Sequence, residues 1–177
     1  MFTRSLRCLR HAWADPRDSR RAVPDDMANR LARRIAASEE RHGGEIRICV
    51  EAALPVPMAW RLGEGPAALR RVARLRAMQW FGDLRIWDTE RNNGVLIYLL
   101  LAERAIEIVA DRGLVHVVPS DTWQAIVDRL GERLHAGDVE SGLTQALEEV
   151  SALLVQHHPL ARDALNPDEL PNLVVRV

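Results

Sequence analysis

Residues 90–114 read ERNNGVLIYLLLAERAIEIVADRGL, and this stretch sets the architecture of the chain. Asn92-Asn93-Gly94 is a turn signal, because asparagine and glycine tolerate tight backbone conformations that bulkier residues resist. It leads into Val95 to Leu101, an apolar run of the length expected for a central strand covered on both faces. Ala102-Glu103-Arg104 breaks the run, and Ala105 to Val109 resumes as a strand with Glu107 as its polar interruption. A connection of so few residues joins two strands most simply as an antiparallel hairpin. The stretch ends in Asp111-Arg112-Gly113, a short charged loop that is either a site or only a bend.

Upstream, Glu45-Ile46-Arg47-Ile48-Cys49-Val50-Glu51 alternates polar with apolar residues, the pattern of a strand with one face buried. Before it, Pro24-Asp25-Asp26 supplies a helix start, Met27, Leu31 and Ile35 a stripe, and His42-Gly43-Gly44 a stop. Between the two strands Gly65-Pro66 opens a second helix, since proline suits the first helical position. Leu69, Val72, Ala73, Ala77 and Trp80 make its expected buried side, and Arg70, Arg71, Arg74 and Arg76 its solvent side. A helical crossover of that length returns the chain to the same end of the sheet, so the first two strands are expected to be parallel.

Downstream, Asp121-Thr122-Trp123-Gln124 reads as a capping box for a third helix that runs to about Ala136 and stops at Gly137. Val139, Leu143, Ala146, Leu147, Val150 and Leu154 then form one stripe of a fourth. After His157-His158-Pro159 the chain carries Pro167 and Pro171 and little core-forming pattern before Leu173-Val174-Val175. The expected divisions are an arginine-rich N-terminal arm over residues 1–23, a folded domain over 24–157 and a proline-punctuated tail over 158–177. Within the arm, Phe2, Leu6, Leu9 and Trp13 fall at helical spacing between Arg4, Arg7 and Arg10, a short basic amphipathic helix that suits a membrane surface or a partner.

With 177 residues the chain is long enough for one ordinary domain with its own core. A net charge of −1 gives no bulk reason to expect nucleic acid, and every basic residue is arginine. Cys8 and Cys49 sit in unlike surroundings and make neither a disulfide framework nor a zinc motif, which points to a reduced compartment. The longest apolar run, Val95 to Ala102, falls far short of the roughly 20 residues that cross a bilayer. The first residues also lack the continuous apolar stretch of a signal peptide, so the expected location is cytoplasmic, with peripheral membrane contact through residues 1–13.

The order helix, strand, helix, hairpin, helix, helix resembles the TPM domain family over about residues 25–157. The residues that carry the likeness are Gly44-Glu45-Ile46 opening the first strand, Asn93-Gly94-Val95-Leu96 opening the second, and Glu103-Arg104 at the hairpin. Arg112-Gly113-Leu114, Asp121 at a helix start, and the Gly137 to Gly142 connection complete it. The resemblance implies an α/β fold, a Rossmann-like three-layer α/β/α sandwich with a small mixed sheet flanked by helices, and no dinucleotide site. It also implies relatives of two kinds: plant thylakoid-lumen proteins linked to photosystem repair, with weak acid-phosphatase activity and calcium binding, and bacterial proteins that are often exported and membrane-tethered. This chain departs from the exported pattern in its N-terminus, and it carries Ala110-Asp111-Arg112-Gly113 where many relatives have a more glycine-rich loop.

Topology brings the end of the third strand, at Asp111, to the sheet edge where the second strand starts, at Asp88, Glu90, Asn92 and Asn93, and Asp121 is a further candidate for that edge. One reading makes Asp88, Glu90, Asn92, Asp111 and Asp121 ligands of a divalent cation, calcium or magnesium. Calcium takes about six to eight oxygens and tolerates irregular loops. The competing reading gives these residues separate turn, capping and solvated-surface duties. A metal at this edge would also suit weak phosphomonoester hydrolysis with Arg112 on a phosphate oxygen, although the chain has no P-loop, nucleophile elbow or HExxH motif. The main functional expectation is a non-catalytic binding or assembly-helper domain with a protein partner at a membrane and no nucleotide cofactor; a metal-dependent phosphatase is the alternative. Among the tryptophans, Trp60, Trp80 and Trp87 are expected to pack around the second helix, leaving Trp13 exposed.

Overall fold

A computed structural model describes residues 9–15, 17–61, 65–160 and 169–177. Apolar and β-branched runs form β1 (Ile46–Glu51), β2 (Val95–Leu100) and β3 (Ala105–Ala110), and β4 (Val174–Arg176) completes a sheet of order β3-β2-β1-β4. β1 and β2 run parallel, with Ile46 beside Val95 and Glu51 beside Leu100. β2 and β3 form the expected antiparallel hairpin, with Val95 beside Ala110. The hairpin reverses through a 3-10 turn at Leu101–Glu103, which Arg104 closes in the left-handed region at φ 50°.

The four expected long helices are α3 (Asp25–Glu39), α5 (Pro66–Asp83), α7 (Ser120–His135) and α8 (Val139–His157). Shorter pieces are α2 (Asp18–Ala22), α4 (Val56–Arg61) and α6 (Arg112–Val115), and α1 is described over residues 9–13. Side-chain alternation along the strands decides the layers. Ile46, Ile48, Val95, Ile97 and Leu99 pack against Leu31 and Ile35 of α3 and Leu143, Leu147 and Val150 of α8. On the opposite face Cys49, Leu96, Tyr98 and Leu100 meet Ala77 of α5 and Ile86. Each fully buried aliphatic side chain of these layers contributes about 1.5–3 kcal/mol, which pins helices to both faces and gives the three-layer sandwich. No described helix is long and apolar enough to cross a membrane.

Several expectations change. All six residues of β1 are buried, so its polar positions are not a solvent face. Arg47 donates to the Pro171 carbonyl and Glu51 lies under α5. The end of the expected tail joins the sheet: β4 lies parallel to β1 with Val174 beside Ile48, and Val177 exchanges backbone bonds with Ala52 and Val50 at 2.7 and 3.0 Å. The capping box does not form, because α7 starts at Ser120 after Pro119 and Gln124 turns outward to Asp128 at 2.8 Å. Trp60 and Trp87 are half exposed or more rather than packed, while Trp80 is partly buried as expected.

The N-terminal helix leaves Trp13 exposed, as expected, and is held by a residue that the sequence reading did not single out. Leu9 and Trp13, the described half of the expected apolar stripe, point to solvent, and His11 turns inward at 4% exposure. Its Nδ1 accepts the Leu54 amide at 3.1 Å and its Nε2 lies 2.9 Å from Glu103, so a polar residue anchors the segment. Phe2 and Leu6 lie outside the described residues.

Candidate functional site

The loop that starts β2 and the loop that leaves β3 are pressed together backbone to backbone. Asp111 N donates to Gly94 O and Gly113 N donates to Asn92 O, both at 2.9 Å. This closeness requires Gly113, and a second close approach, of Ile86, requires Gly94. A Cβ on Gly94 would lie 2.2 Å from the Ile86 carbonyl oxygen, and one on Gly113 would lie 2.5 Å from that of Asn92. Asn92 itself takes the left-handed conformation, at φ 51°, which asparagine tolerates better than most residues.

Asp111 is the N-cap of α6, and its Oδ1 accepts the Arg112 amide at 2.6 Å. Its other oxygen, Oδ2, is buried and has no hydrogen-bond partner among the described residues. Asn93 beside it is fully buried: its amide donates to Thr89 Oγ1 at 3.1 Å and its Nδ2 to Gly43 O at 2.5 Å. Asn93 Oδ1 is likewise buried and unpartnered. A buried acceptor left without a donor costs about 1–3 kcal/mol, and more when it carries charge. Two such oxygens lie on adjoining loops, each able to accept from a donor or a cation.

The expected ligand set divides. Asn92 and Asp111 are brought together, but Arg112 Nε already donates to Asn92 Oδ1 at 2.8 Å. Asp88 pairs with Arg85 at 3.5 Å on the surface, and the Glu90 amide donates to Glu169 at 2.9 Å. Asp121 sits exposed in the first turn of α7. Among the described residues no hydrogen bond joins these three to the Asn92 and Asp111 pair, and no three His, Cys, Asp or Glu side chains gather as a metal cluster.

Two histidines that the sequence reading left without a role frame the same edge. Gly43 N donates to His158 O at 3.0 Å, and His42 bridges to Pro159. Burial lowers His42 from the usual histidine range to about 4, against a smaller upward pull from the Gly44 amide contact. Burial lowers His158 too, with the Gly113 carbonyl pulling the other way. Both imidazoles are therefore neutral at pH 7 and leave the edge without added positive charge. His-Gly-Gly and His-His-Pro read as helix stops, so only the folded chain shows that they meet.

At the opposite end of β1 the chemistry is closed. Glu51 accepts from Arg76 through both Nε and Nη2, from Trp80 Nε1 at 2.9 Å and from the Tyr98 hydroxyl at 2.6 Å. Arg76 also lies over the Trp80 ring at 4.9 Å. Arg76 thus belongs to the buried side of α5, not to the solvent side assigned by its neighbours. Burial pushes the Cys49 thiol up to about 12, which makes it an inert core residue.

The TPM domain family model matches residues 17–153. The chain belongs to the TPM domain family. This TPM domain is similar in structure to the BA42 protein of the psychrophilic bacterium Bizionia argentinensis, with 25% identity and a TM-score of 0.69 over 86% of this chain and 94% of that one. The N-terminal domain of a P. gingivalis protein shares the fold at 21% identity and a TM-score of 0.52, covering 84% of this chain and 95% of that domain. No curated protein matches. The matched span of the family model contains both loops of the edge, together with His42 and the Glu51 network.

Proposed function

We propose that this TPM domain is a non-catalytic binding domain that helps assemble another protein, through a divalent cation held where the Asn92 and Asp111 loops meet. The observation that carries the reading is the buried, unpaired Oδ2 of Asp111, with the unpaired Asn93 Oδ1 on the adjoining loop. Carboxylate and amide oxygens are the ligands that hard cations prefer, and calcium tolerates the irregular geometry of loops better than magnesium does. Asn92 Oδ1 joins them only if Arg112 swings away. A cage with so few protein oxygens leaves coordination positions for water or for a partner's carboxylate, and that suits a binding domain. Leu9 and Trp13 stand exposed beside Arg10 on α1, which supports meeting the partner at a membrane surface.

Calorimetric titration of calcium and magnesium into the chelator-treated chain, with Asp111→Ala beside it, tests the reading. Heat in the wild type that the substitution removes supports it. Silence in both, together with no change in thermal midpoint at millimolar cation, removes the cation from the site. A chromogenic phosphate monoester assayed on the same samples tests the phosphatase alternative, and turnover lost in Asp111→Ala would put a metal-dependent hydrolase in place of the binding domain.

A further inference from the structure

β3 is the edge strand of the sheet, and its outer side forms the floor of a groove of about 560 Å³ between α5 and α7. The register fixes which backbone groups face that groove. Asp111 N bonds Gly94 O, so in an antiparallel ladder Ala105, Glu107 and Val109 turn their amides and carbonyls toward β2. Ile106, Ile108 and Ala110 turn theirs outward. Arg74 confirms the phase, because its Nη1 donates to the outward Ile108 carbonyl at 2.6 Å. An unpaired strand edge of this kind is a template for another strand.

The walls say what kind of strand. Leu69 and Val127 offer apolar surface, and Trp123 lines the groove with its indole N–H buried and unpartnered. Arg70, Arg74 and Arg104 line it as well, against a single carboxylate, Glu107, which lies 3.6 Å from Arg74. Among the described residues Arg70 and Arg104 are exposed and make no ion pair. A second copy of this chain is a poor occupant, since a two-fold contact sets this arginine-lined edge against itself.

We propose that the β3 edge takes up an extended acidic peptide segment as a fifth strand. The outward backbone groups of Ile106, Ile108 and Ala110 supply the ladder, and Arg70, Arg74 and Arg104 neutralise carboxylates along it. Backbone bonds give such a mode its affinity and flanking side chains its selectivity. Arg74 leaves the Ile108 carbonyl as the peptide amide replaces it. This surface is separate from the Asp111 loop edge and does not depend on a cation.

The test uses a fluorescein-labelled synthetic peptide of alternating valine and glutamate, with a valine and lysine peptide as control, titrated against the full chain by anisotropy. Amide hydrogen exchange of β3 is followed by NMR in the same samples. Binding of the glutamate peptide with new protection at Ile106, Ile108 and Ala110 supports the proposal. So does a tenfold or greater loss of binding in the surface variant Arg70→Glu/Arg104→Glu at unchanged thermal midpoint. No binding, equal binding of the lysine peptide, or binding without protection of those amides overturns it. Protection that rises with protein concentration and no peptide would assign the edge to a second copy and overturn it as well.

Discussion

Two carboxylates sit at opposite ends of the sheet, Glu51 buried and Asp111 half-buried with one oxygen covered, and their surroundings differ in kind. Glu51, at the end of β1, is saturated by Arg76, Trp80 and Tyr98. Asp111, where β3 leaves the sheet, caps a helix with one oxygen and has no partner among the described residues on the other. A saturated network rigidifies a core, because every donor and acceptor loses something when it opens. An unsaturated oxygen has no such bond to lose, and on the proposed reading it holds a place for a cation that the chain itself does not supply. On the proposed reading the comparison separates scaffold from site, although both groups are carboxylates.

The largest effect falls on the saturated end. Arg76→Met leaves Glu51 buried without its cation and is expected to cost about 3–5 kcal/mol in chemical denaturation. Glu51→Leu/Arg76→Met, which removes both charges, is expected to recover only part of that loss, because the Tyr98 hydroxyl and Trp80 Nε1 then have no acceptor. Failure to recover would mean that the network does more than balance its own burial.

The next effect is pH dependence at the open end. His42 is lowered to about 4 in the folded chain, so between roughly pH 6.5 and 4 the unfolded chain binds the extra proton. Stability from this group is present above pH 6.5 and lost as pH falls toward 4, by up to about 3 kcal/mol. Glu107, raised by burial, works in the opposite sense, so the comparison to make is wild type against His42→Gln across thermal melts from pH 7 to 4. The variant is expected to show the flatter profile.

Gly113→Ala comes next. Its Cβ meets the Asn92 carbonyl, and that backbone cannot yield without parting the two loops. A loss of about 1–3 kcal/mol is expected by denaturant titration. If the loop edge binds a cation, the same variant weakens that binding beyond its effect on stability.

Much of this arrangement is legible in residues 90–114. The turn, the buried strand and the hairpin follow from one apolar run with punctuation at each end, and the meeting of Asn92 with Asp111 follows from the hairpin register. The stripes of α3 and α8 are equally plain, since their leucines and isoleucines recur at helical spacing. The rest depends on contacts distant in sequence. β4 is only three residues long, so its pairing with β1 leaves almost no local pattern. Arg76 looks like one more arginine on a charged helix, because nothing near it reveals that Glu51 lies across from it. Asn93 reads as a turn residue, yet its side chain is fully buried. Asp88, Glu90 and Asp121 share the chemistry of Asp111 but stand exposed at the surface, a distinction that residue type alone does not carry. His11 shows the same limit, since nothing in the first residues reveals that it turns inward to Leu54 and Glu103.

The smallest expected change in stability is also the most direct test of the open end. Asp111→Asn keeps the helix cap through Oδ1 and replaces the unpaired carboxylate oxygen with an amide nitrogen. Denaturant unfolding of wild type and Asp111→Asn is measured in chelator and again in millimolar calcium. In chelator the variant is expected to match the wild type within about 1 kcal/mol or exceed it, since an uncompensated buried charge has been removed. Calcium is then expected to stabilise the wild type and leave the variant unmoved. A variant several kcal/mol less stable in chelator, beside a wild type indifferent to calcium, would make Asp111 a structural carboxylate like Glu51 and contradict the division between scaffold and site.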